Sequence, residues 1–221
     1  MAMLSNLDLI RRVPLFSMLT NEQAQGIADS VVKRRMRRGE LVIEAGRKSN
    51  ALFILLTGRA RVIAADERGR EVILAVLHAG DYVGEMSLID NEPHSATVRT
   101  EVQSDMLVLG RAEFARCLPE NSSLSYAIMR GLVQRLRNAD RQIESLALLD
   151  VYGRVARSLL DMAETVGEER LIRSKVSRQD LAKVVGASRE MVSRVMKDLE
   201  ERGMVHTRED GSVLITSRLK T

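Results

Sequence analysis

The sequence predicts an α+β protein made of an N-terminal antiparallel β-roll, one long helix and a C-terminal winged helix-turn-helix. Three observations lead to this fold class. Short apolar runs alternate with glycines in the first half, a heptad pattern follows Pro119, and a helix-turn-helix pattern over 178–197 precedes a hairpin signal. The expected domains are a β-roll with N-terminal helices over 1–118, a dimerisation helix over 119–149 and a winged helix-turn-helix over 150–221.

The composition favours a folded protein of a reducing compartment. The 221 residues carry a net charge of +4 and have a pI near 9.5, so clustered lysines and arginines could attract phosphate. The single cysteine, Cys117, disfavours disulfides and metal clusters, and no metal site is expected. No run of ~18 apolar residues is present, so the expected location is the cytoplasm. With few aromatic residues to stack on single strands, duplex DNA is the better nucleic-acid partner.

The first segment, 7–32, combines apolar residues at helical spacing with Pro14. Thr20 is followed by Gln23 at the spacing of a capping box, which predicts that a helix begins after Thr20. We therefore expect short helices before the β-roll.

Six short apolar runs between 39 and 109 predict the strands of a compact β-roll. They are 41–43, 52–56, 61–64, 72–77, 96–98 and 106–109. Turn glycines separate them at the spacing typical of antiparallel sheets, and these are Gly39, Gly46, Gly58, Gly69 and Gly80. The expected hairpin connections are Thr57-Gly58 and the segment 67–70, because glycine can adopt the positive φ that such turns need.

A long helix is predicted from about Ser122 to Leu148, because the segment after Pro119 has helical composition and no strong breaker. Its apolar residues follow at intervals of three and four: Met129, Leu132, Leu136, Ala139, Ile143 and Leu146. A helix of roughly 40 Å with so narrow a seam predicts pairing with its copy in a homodimer. The alternative is a helix that packs within the core of its own domain.

The segment 178–197 has the positional pattern of a helix-turn-helix. Small Ala182 lets two helices approach closely, and Gly186 permits the backbone to reverse between them. The apolar residues that would fill the wedge between the helices are Leu181, Val185, Val192 and Val195. Ser177 and Ser188 stand where the N-caps of the two helices are expected.

The second of these helices is expected to present a basic face with one acid. Steps of about 100° per residue place five polar residues within an arc of about 140°: Arg189, Glu190, Ser193, Arg194 and Lys197. The opposite side holds Met191, Val192, Val195 and Leu199. Two arginines near a helix N-terminus can pair with guanines in the major groove, and Glu190 can accept from cytosine N4. Because a glutamate beside phosphates would repel DNA, this arrangement favours base reading over a merely solvated face.

A wing is predicted after this helix, because Gly203 is a residue type that commonly ends helices and Asp210-Gly211 lies between apolar residues. Basic residues expected near DNA phosphates are Lys175, Arg178, Arg202, His206 and Arg208, and the alternative for each is ordinary surface charge. The predicted DNA-binding set is Ser177, Arg178, Ser188, Arg189, Glu190, Arg194, Lys197 and His206.

Nearly the whole chain resembles the cyclic AMP receptor protein and FNR family of bacterial transcription regulators. The segment 146–154, Leu-Ala-Leu-Leu-Asp-Val-Tyr-Gly-Arg, is similar to the family's hinge and first DNA-domain helix. The segment 186–194, Gly-Ala-Ser-Arg-Glu-Met-Val-Ser-Arg, is similar to its recognition element. The resemblance implies a homodimer that reads two TGTGA-type half-sites through Arg189, Glu190 and Arg194 and contacts RNA polymerase.

The resemblance extends to a cyclic-nucleotide site in the β-roll. The segments 45–46, 57–58 and 80–88 are similar to the family's binding pattern, which implies that Glu85 holds a ribose hydroxyl. Backbone amides near Gly84 and Glu85 would face the phosphate. The positions that match the effector site are Gly84, Glu85, Met86, Ser87, His94, Ser95, Ala96, Ala139 and Asp140.

Two departures from the family concern the effector. His94 stands where the family has a phosphate-neutralising arginine, and a neutral imidazole cannot make the forked pair of a guanidinium. Ala139 and Asp140 replace the hydroxyls that would bind adenine. Asp140 lies between Arg137 and Arg141, a grouping that suits guanine edges and a second phosphate, or else an ion pair between helices.

Three interpretations of the pocket follow from these departures. It binds cyclic AMP weakly, it binds another nucleotide such as cyclic di-GMP, or it is vestigial in a ligand-independent regulator. A cyclic nucleotide that gates DNA binding allosterically is the prediction.

Other classes find no support in the sequence. A cyclic-nucleotide-controlled enzyme would need a nucleophile, base and orienting group at recognisable spacing, and a pure scaffold would not need the Arg-Glu-Arg face. An iron–sulfur sensor would need several N-terminal cysteines. His78 and His94 are more typical of turn or pocket residues than of haem ligands.

Overall fold

The computed structural model describes residues 5–120, 122–166 and 169–219. The chain is a mixed α+β protein that divides into two compact units, Met1–Arg135 and Leu136–Thr221. The helix that spans the boundary contributes residues to both units. Each unit has its own apolar core.

The first unit contains helices before, within and after two sheets. Its helices are α1 (Asn6–Arg11), α2 (Asn21–Ser30), α3 (Glu85–Asp90), α4 (Arg111–Glu120) and the first part of α5 (Ser122–Leu148), with a short 3-10 turn at Pro14–Phe16. Its strands are β1 (Val32–Met36), β2 (Leu41–Ile43), β3 (Ala51–Thr57), β4 (Ala60–Ala65), β5 (Glu71–Leu77), β6 (Tyr82–Val83), β7 (Thr97–Thr100) and β8 (Ser104–Gly110). The short N-terminal helices are confirmed, and Thr20 caps α2 in a capping box with Gln23.

Two four-stranded antiparallel sheets form the β-roll, in the orders β1-β8-β3-β6 and β2-β7-β4-β5. The central strand β3 is buried on both faces. Phe53 and Leu55 join an apolar cluster drawn from both sheets, while Leu52 and Ile54 pack in a cluster with residues of α1, α2, α4 and α5. A strand buried on both faces forms a continuous apolar run, which is why the sequence pattern predicted it.

One predicted hairpin is confirmed and the other is wrong. β4 pairs with β5 across the segment 67–70, and Gly69 has a φ of 74°. Thr57-Gly58 joins strands of different sheets instead, because β3 pairs with β8 and β6. A Cβ at Gly58 would lie 2.8 Å from the carbonyl oxygen of Gln103, so glycine is required at this corner by close packing rather than by a hairpin turn.

Four elements of the first unit were not expected from the sequence: β1, β6, α3 and α4. The strand β1 is exposed along Val32, Lys33, Arg34 and Arg35 and buries Met36 alone, so it lacks the apolar alternation of a half-buried strand. The helix α3 has only six residues and begins after Gly84. The segment around it has the residue pattern of a loop.

The long helix α5 has the predicted bounds, Ser122–Leu148. Leu124 and Ile128 are buried in the core of the first unit. The seam residues that follow are largely exposed, with 56% for Met129, 62% for Leu136 and 64% for Ile143. The seam residue Leu132 is partly buried and packs against the same core. The core-helix alternative therefore accounts for the first turns of α5 and for Leu132, and not for the exposed residues of the seam.

The second unit is a helix-turn-helix with a small sheet. Besides the end of α5 it contains α6 (Val151–Met162), α7 (Arg178–Val185), α8 (Arg189–Glu201), β9 (Glu164–Val166), β10 (Glu169–Ile172), β11 (Val205–Thr207) and β12 (Val213–Ile215). The sheet order is β11-β12-β10-β9. β11 and β12 pair across Asp210-Gly211, and Gly203 follows α8 with a φ of 65°, so the predicted wing and helix end are confirmed.

Among the described residues, no helix has the length and apolar character needed to cross a lipid bilayer.

Candidate DNA-reading surface and effector site

The helix α8 begins where its sequence predicts. Ser188 adopts an extended backbone conformation, and its hydroxyl oxygen accepts a hydrogen bond from the backbone N–H of Met191 at 3.2 Å. Ser177 caps α7 in the same manner through the N–H of Asp180. Both caps satisfy N–H groups that have no partner inside the helix, and they fix where each helix starts.

The crossing of α7 and α8 buries the predicted wedge. Leu181, Ala182, Val185, Val192 and Val195 are all buried, and Gly186 ends α7 in the left-handed conformation with a φ of 65°. The buried side of α8 also includes Met196 and Leu199. These contacts hold α8 at a fixed angle to α7.

Met191 was predicted on the buried side of α8 and is 43% exposed, so that placement is wrong. The reason is geometric. On a helical projection Met191 lies about 90° from the centre of the buried arc, at its border.

The outward face of α8 carries the predicted polar set. Arg189, Glu190, Ser193, Arg194 and Lys197 are all exposed. The five side chains form one surface because the opposite side of the helix is packed against the unit's own core. This face can hydrogen-bond to base edges in a major groove.

Glu190 is held in its ionised form at neutral pH. Its own backbone N–H and the Ser188 hydroxyl donate hydrogen bonds that lower its pKa, and the charges of Arg189 and Arg194 act in the same direction. A carboxylate without its proton is only an acceptor, which matches the amino group of cytosine rather than a phosphate.

Three of the flanking basic residues form ion pairs with acidic side chains of the same unit. Arg178 lies 3.1 Å from Glu200 and its side chain is 28% exposed, and Thr207 donates to the same carboxylate at 2.6 Å. Lys197 is 3.6 Å from Glu201, and Arg202 is 2.9 Å from Asp198.

Two further residues that are predicted to contact phosphates, His206 and Lys175, are exposed in or beside the wing. His206 is exposed on β11. Lys175 is also exposed and packs its aliphatic part against Gly211, where a Cβ would come within 2.9 Å of its Cγ. The wing turn thus supports the stem of Lys175 while its ammonium group stays in solvent.

In the first unit, α3 brings two predicted effector residues into a buried position. Gly84 precedes α3 with a φ of 97°, and a Cβ there would lie 2.6 Å from the carbonyl oxygen of Ala51, so only glycine fits. Glu85 and Ser87 are buried, whereas Met86 is 50% exposed. Within the described part of the chain, Oε2 of Glu85 and Oγ of Ser87 have no hydrogen-bond partner.

Glu85 forms an ion pair that the sequence did not reveal. Its Oε1 lies 2.6 Å from a guanidinium nitrogen of Arg135 on α5, and Arg135 also donates to the carbonyl of Tyr82 and lies over the Tyr82 ring. Burial raises the pKa of Glu85, although the charge of Arg135 opposes this shift. Arg135 lies outside the heptad seam, and its position in the sequence carries no signal of this contact.

His94 lies beside a hydroxyl rather than a charge. Its Nε2 is 2.9 Å from Oγ of Ser49, and burial lowers its pKa. At neutral pH the ring is therefore uncharged. The backbone of His94 is fixed by the N–H of Gly46 and the carbonyl of Arg47. Ser95 is exposed and Ala96 is half-buried, immediately before β7.

Ala139 and Asp140 are exposed on α5 and belong to the second unit, whereas α3 and His94 belong to the first. Arg137 and Arg141, on either side of Asp140, are exposed too. Sequence reasoning also missed Ser49, in the loop before β3, and Arg111, the first residue of α4, because no periodicity marks either position.

Two family profiles match this chain. Residues 33–121 match the cyclic nucleotide-binding domain, and residues 153–220 match the Crp-like helix-turn-helix domain. The first match contains α3, Glu85 and His94, and the second contains α7, α8 and the wing. The predicted DNA-binding set lies within the second match, whereas the predicted effector positions lie within the first match except for Ala139 and Asp140, which fall between the two matched ranges.

Similar proteins cover most of the chain. It is 35% identical over 193 residues to the cAMP-activated global transcriptional regulator Vfr of Pseudomonas aeruginosa, covering 84% of this chain and 90% of that protein. It is 33% identical over 168 residues to the cAMP-activated global transcriptional regulator CRP of Pasteurella multocida, covering 74% and 80%.

Among solved structures, the c-di-GMP responsive global regulator CLP of Xanthomonas campestris aligns with a TM-score of 0.77. The identity is 28%, and the alignment covers 90% of this chain and 100% of that chain.

Proposed function

Because this chain belongs to the CRP/FNR family of transcription regulators, we propose that it is a homodimer whose binding to TGTGA-like DNA half-sites is gated by a cyclic nucleotide. The chain is a DNA-binding transcription regulator of that family with a cyclic nucleotide-binding domain. The family consists of regulators rather than enzymes.

One observation carries the proposal for DNA reading. Arg189, Glu190 and Arg194 are exposed together on α8, while the opposite side of the helix is buried. In our proposal the two arginines donate to guanines and Glu190 accepts from a cytosine. Other predicted contacts would fix the register on the phosphates, and these are Ser177, Arg178, Ser188, Lys197 and His206.

The effector that we propose is a cyclic nucleotide held in the first unit. The support is Glu85 and Ser87, which are buried with one side-chain oxygen each lacking a protein partner among the described residues. Buried polar atoms of this kind are costly unless a ligand or water satisfies them. The alternative, a ligand-independent regulator with a vestigial pocket, gives no reason to keep them.

Cyclic AMP and cyclic di-GMP are both candidates. They share a ribose phosphodiester, and the relatives divide between them, since Vfr is cAMP-activated and CLP is c-di-GMP responsive. In our proposal Glu85 and Ser87 bind the ribose phosphodiester. The uncharged His94 favours a ligand whose phosphate is neutralised elsewhere.

We propose that two chains pair through α5. The support is the exposed seam, in which Met129, Leu136, Ile143 and Leu146 present more than half of their surface to solvent. Apolar residues at heptad spacing on a helix of this length are typical of a coiled-coil dimer. From family resemblance we also propose contact with RNA polymerase and action in the cytoplasm.

A gel-shift experiment tests this function. The full-length protein is incubated with a TGTGA palindrome and with a scrambled duplex, each without ligand and with cyclic AMP, cyclic GMP or cyclic di-GMP. We expect selective binding to the palindrome that one cyclic nucleotide changes. Equal binding to both duplexes contradicts the proposed site, and selective binding that no nucleotide alters supports the ligand-independent alternative.

A further inference from the structure

Arg111, the first residue of α4, joins two parts of the first unit that carry the predicted effector residues. Its guanidinium donates to the carbonyl oxygens of Ser87 at 2.9 Å and Leu88 at 3.2 Å, both on α3. Its Nε donates to Oδ1 of Asn50 at 3.2 Å, and its backbone N–H donates to the Asn50 carbonyl at 2.8 Å. One side chain therefore bonds to a helix and to a loop.

The contact with α3 compensates for the shortness of that helix. A helix of six residues has few internal hydrogen bonds, and the carbonyls of its last turn lack helical partners. The Ser87 carbonyl already accepts from the N–H of Asn91 at 3.1 Å, so the guanidinium adds a second donor to that oxygen and also donates to the carbonyl of Leu88. It also places a positive charge where the helix dipole favours it. The orientation of α3 determines where Glu85 and Ser87 point.

The contact with Asn50 fixes the opposite side of the site. Asn50 follows Ser49, whose hydroxyl lies 2.9 Å from Nε2 of His94. The carbonyl of Ala51, the next residue, lies against Gly84 at the start of α3. The loop before β3 therefore contacts His94 and leads directly into the strand residue that contacts the start of α3.

We propose that Arg111 is a positioning residue of the effector site. It holds α3 and the loop before β3 in one arrangement, so that Glu85, Ser87 and His94 are preorganised for the same ligand. It does not touch the ligand, because its guanidinium is directed to oxygens of Asn50, Ser87 and Leu88. This inference rests on the proposed function, in which the first unit binds a cyclic nucleotide.

Calorimetric titration of the full-length protein with cyclic AMP, cyclic GMP and cyclic di-GMP tests the proposal. We expect Arg111→Gln to bind the effector about 10-fold more weakly, because the loss of hydrogen bonds from a charged donor loosens α3. Arg111→Lys, which keeps the charge without the fork, is expected to recover part of this loss.

Arg35→Gln is the matched control. Arg35 lies on β1, at the opposite edge of the sheet from β6, and its guanidinium donates to the carboxylate of Asp105 at 2.8 Å. This change therefore removes the hydrogen bonds of another arginine, far from α3, and should leave affinity unchanged. Unchanged affinity in Arg111→Gln, or an equal loss in Arg35→Gln, overturns the role of Arg111 alone. If the unaltered protein binds none of the three nucleotides, the effector part of the proposed function is overturned, and the role of Arg111 in binding with it.

Amide hydrogen exchange in the ligand-free protein provides a second measurement that a general loss of stability would not reproduce. In Arg111→Gln we expect faster exchange in α3, at Leu88 and Asn91, while the central strands β3 and β8 keep the rates of the unaltered protein. Uniformly faster exchange in all of these elements, or unchanged exchange in α3, contradicts a positioning role.

Discussion

A guanidinium nitrogen of Arg135 lies 2.6 Å from Oε1 of Glu85, whose side chain is only 1% exposed. The pair joins α5 to α3, and it leaves the other carboxylate oxygen of Glu85 without a partner among the described residues. Arg135 itself is 39% exposed, so the carboxylate is the more costly member to leave unpaired.

Arg135→Ala is expected to destabilise the protein by about 2 kcal/mol at pH 8, below the range for fully buried pairs because Arg135 is partly exposed. The pKa of Glu85 in the folded protein is raised, so the fold favours its neutral form. The stability gained from neutral Glu85 is complete when the pH lies below 4.5, the ordinary pKa of a glutamate. It is lost as the pH rises through the pKa of Glu85 in the folded protein. Removal of Arg135 raises the pKa of Glu85 further. The loss of unfolding free energy caused by Arg135→Ala, measured by urea denaturation, should therefore be smaller at pH 5 than at pH 8.

Arg35→Ala is the control for this pH dependence. A hydrogen bond from Arg35 lowers the pKa of Asp105, so this carboxylate stays ionised throughout the range. The deficit of Arg35→Ala should be the same at pH 5 and pH 8. A deficit of Arg135→Ala that is also constant contradicts the expected protonation of Glu85.

Gly131→Ala on α5 is expected to destabilise the protein by about 1–3 kcal/mol, although alanine favours helices. A Cβ at Gly131 would collide with the phenolic oxygen of Tyr82. Gly26→Ala on α2 is the matched control, since its Cβ meets nothing within 4 Å, and it should stabilise by roughly 0.5–1 kcal/mol. Thermal unfolding measures both, and a gain in stability for Gly131→Ala contradicts the close approach. Tyr82→Phe in the same chain should recover part of the loss.

Arg189→Ala is expected to weaken binding by about 1–3 kcal/mol at one base pair of the half-site and to leave the other positions unaffected. Lys175→Ala should lower affinity alike for cognate and scrambled DNA and reduce the salt dependence, because it removes a phosphate contact. Gel shifts on a set of singly substituted palindromes measure both effects. Equal losses on cognate and scrambled DNA in both variants contradict the assignment of Arg189 to a base and Lys175 to a phosphate.

Ile143→Glu is expected to convert the dimer to a monomer, because it places a charge in the apolar seam of each α5. Ile143 is 64% exposed in the single chain, so the change should not disturb the fold of either unit. Met18→Glu, at a position that is 59% exposed outside α5, is the control and should remain dimeric. Light scattering gives the mass, and a monomeric unaltered protein contradicts the proposed pairing.

His94→Arg is expected to strengthen cyclic nucleotide binding and to make it independent of pH. Burial lowers the pKa of His94 below its usual 6.5, so the ring is neutral at pH 8 and gains a proton as the pH falls. The affinity of the unaltered protein for a phosphodiester should therefore rise as the pH falls below 6.5. Titration calorimetry measures both proteins, and affinity that is flat with pH in the unaltered protein excludes contact between His94 and the phosphate.

The parts of the fold that local chemistry determines were predictable from sequence. Ser177 and Ser188 cap the helices that follow them, and Gly186 and Gly203 end helices in the left-handed conformation, because each effect involves neighbours within a few residues. The bounds of α5 followed from composition for the same reason.

The parts that depend on distant partners were not predictable. Thr57-Gly58 has the sequence of a hairpin, yet β3 pairs with β8, which lies far away along the chain. In the effector site, the resemblance supplied Glu85 and His94, but not Arg135 or Arg111. Both arginines act through contacts across more than 20 residues, and a single sequence does not show such pairs.

The carboxylate of Glu200 on α8 accepts hydrogen bonds from Arg178 on α7 and from Thr207 on β11. This one carboxylate therefore connects both helices of the helix-turn-helix with the wing. The residues that maintain this geometry are different from the exposed residues of α8 that face solvent. Exchange of the exposed side chains would leave the scaffold intact. If these side chains read DNA as we propose, the preferred bases can change by substitution on this face while the shape of the domain is kept.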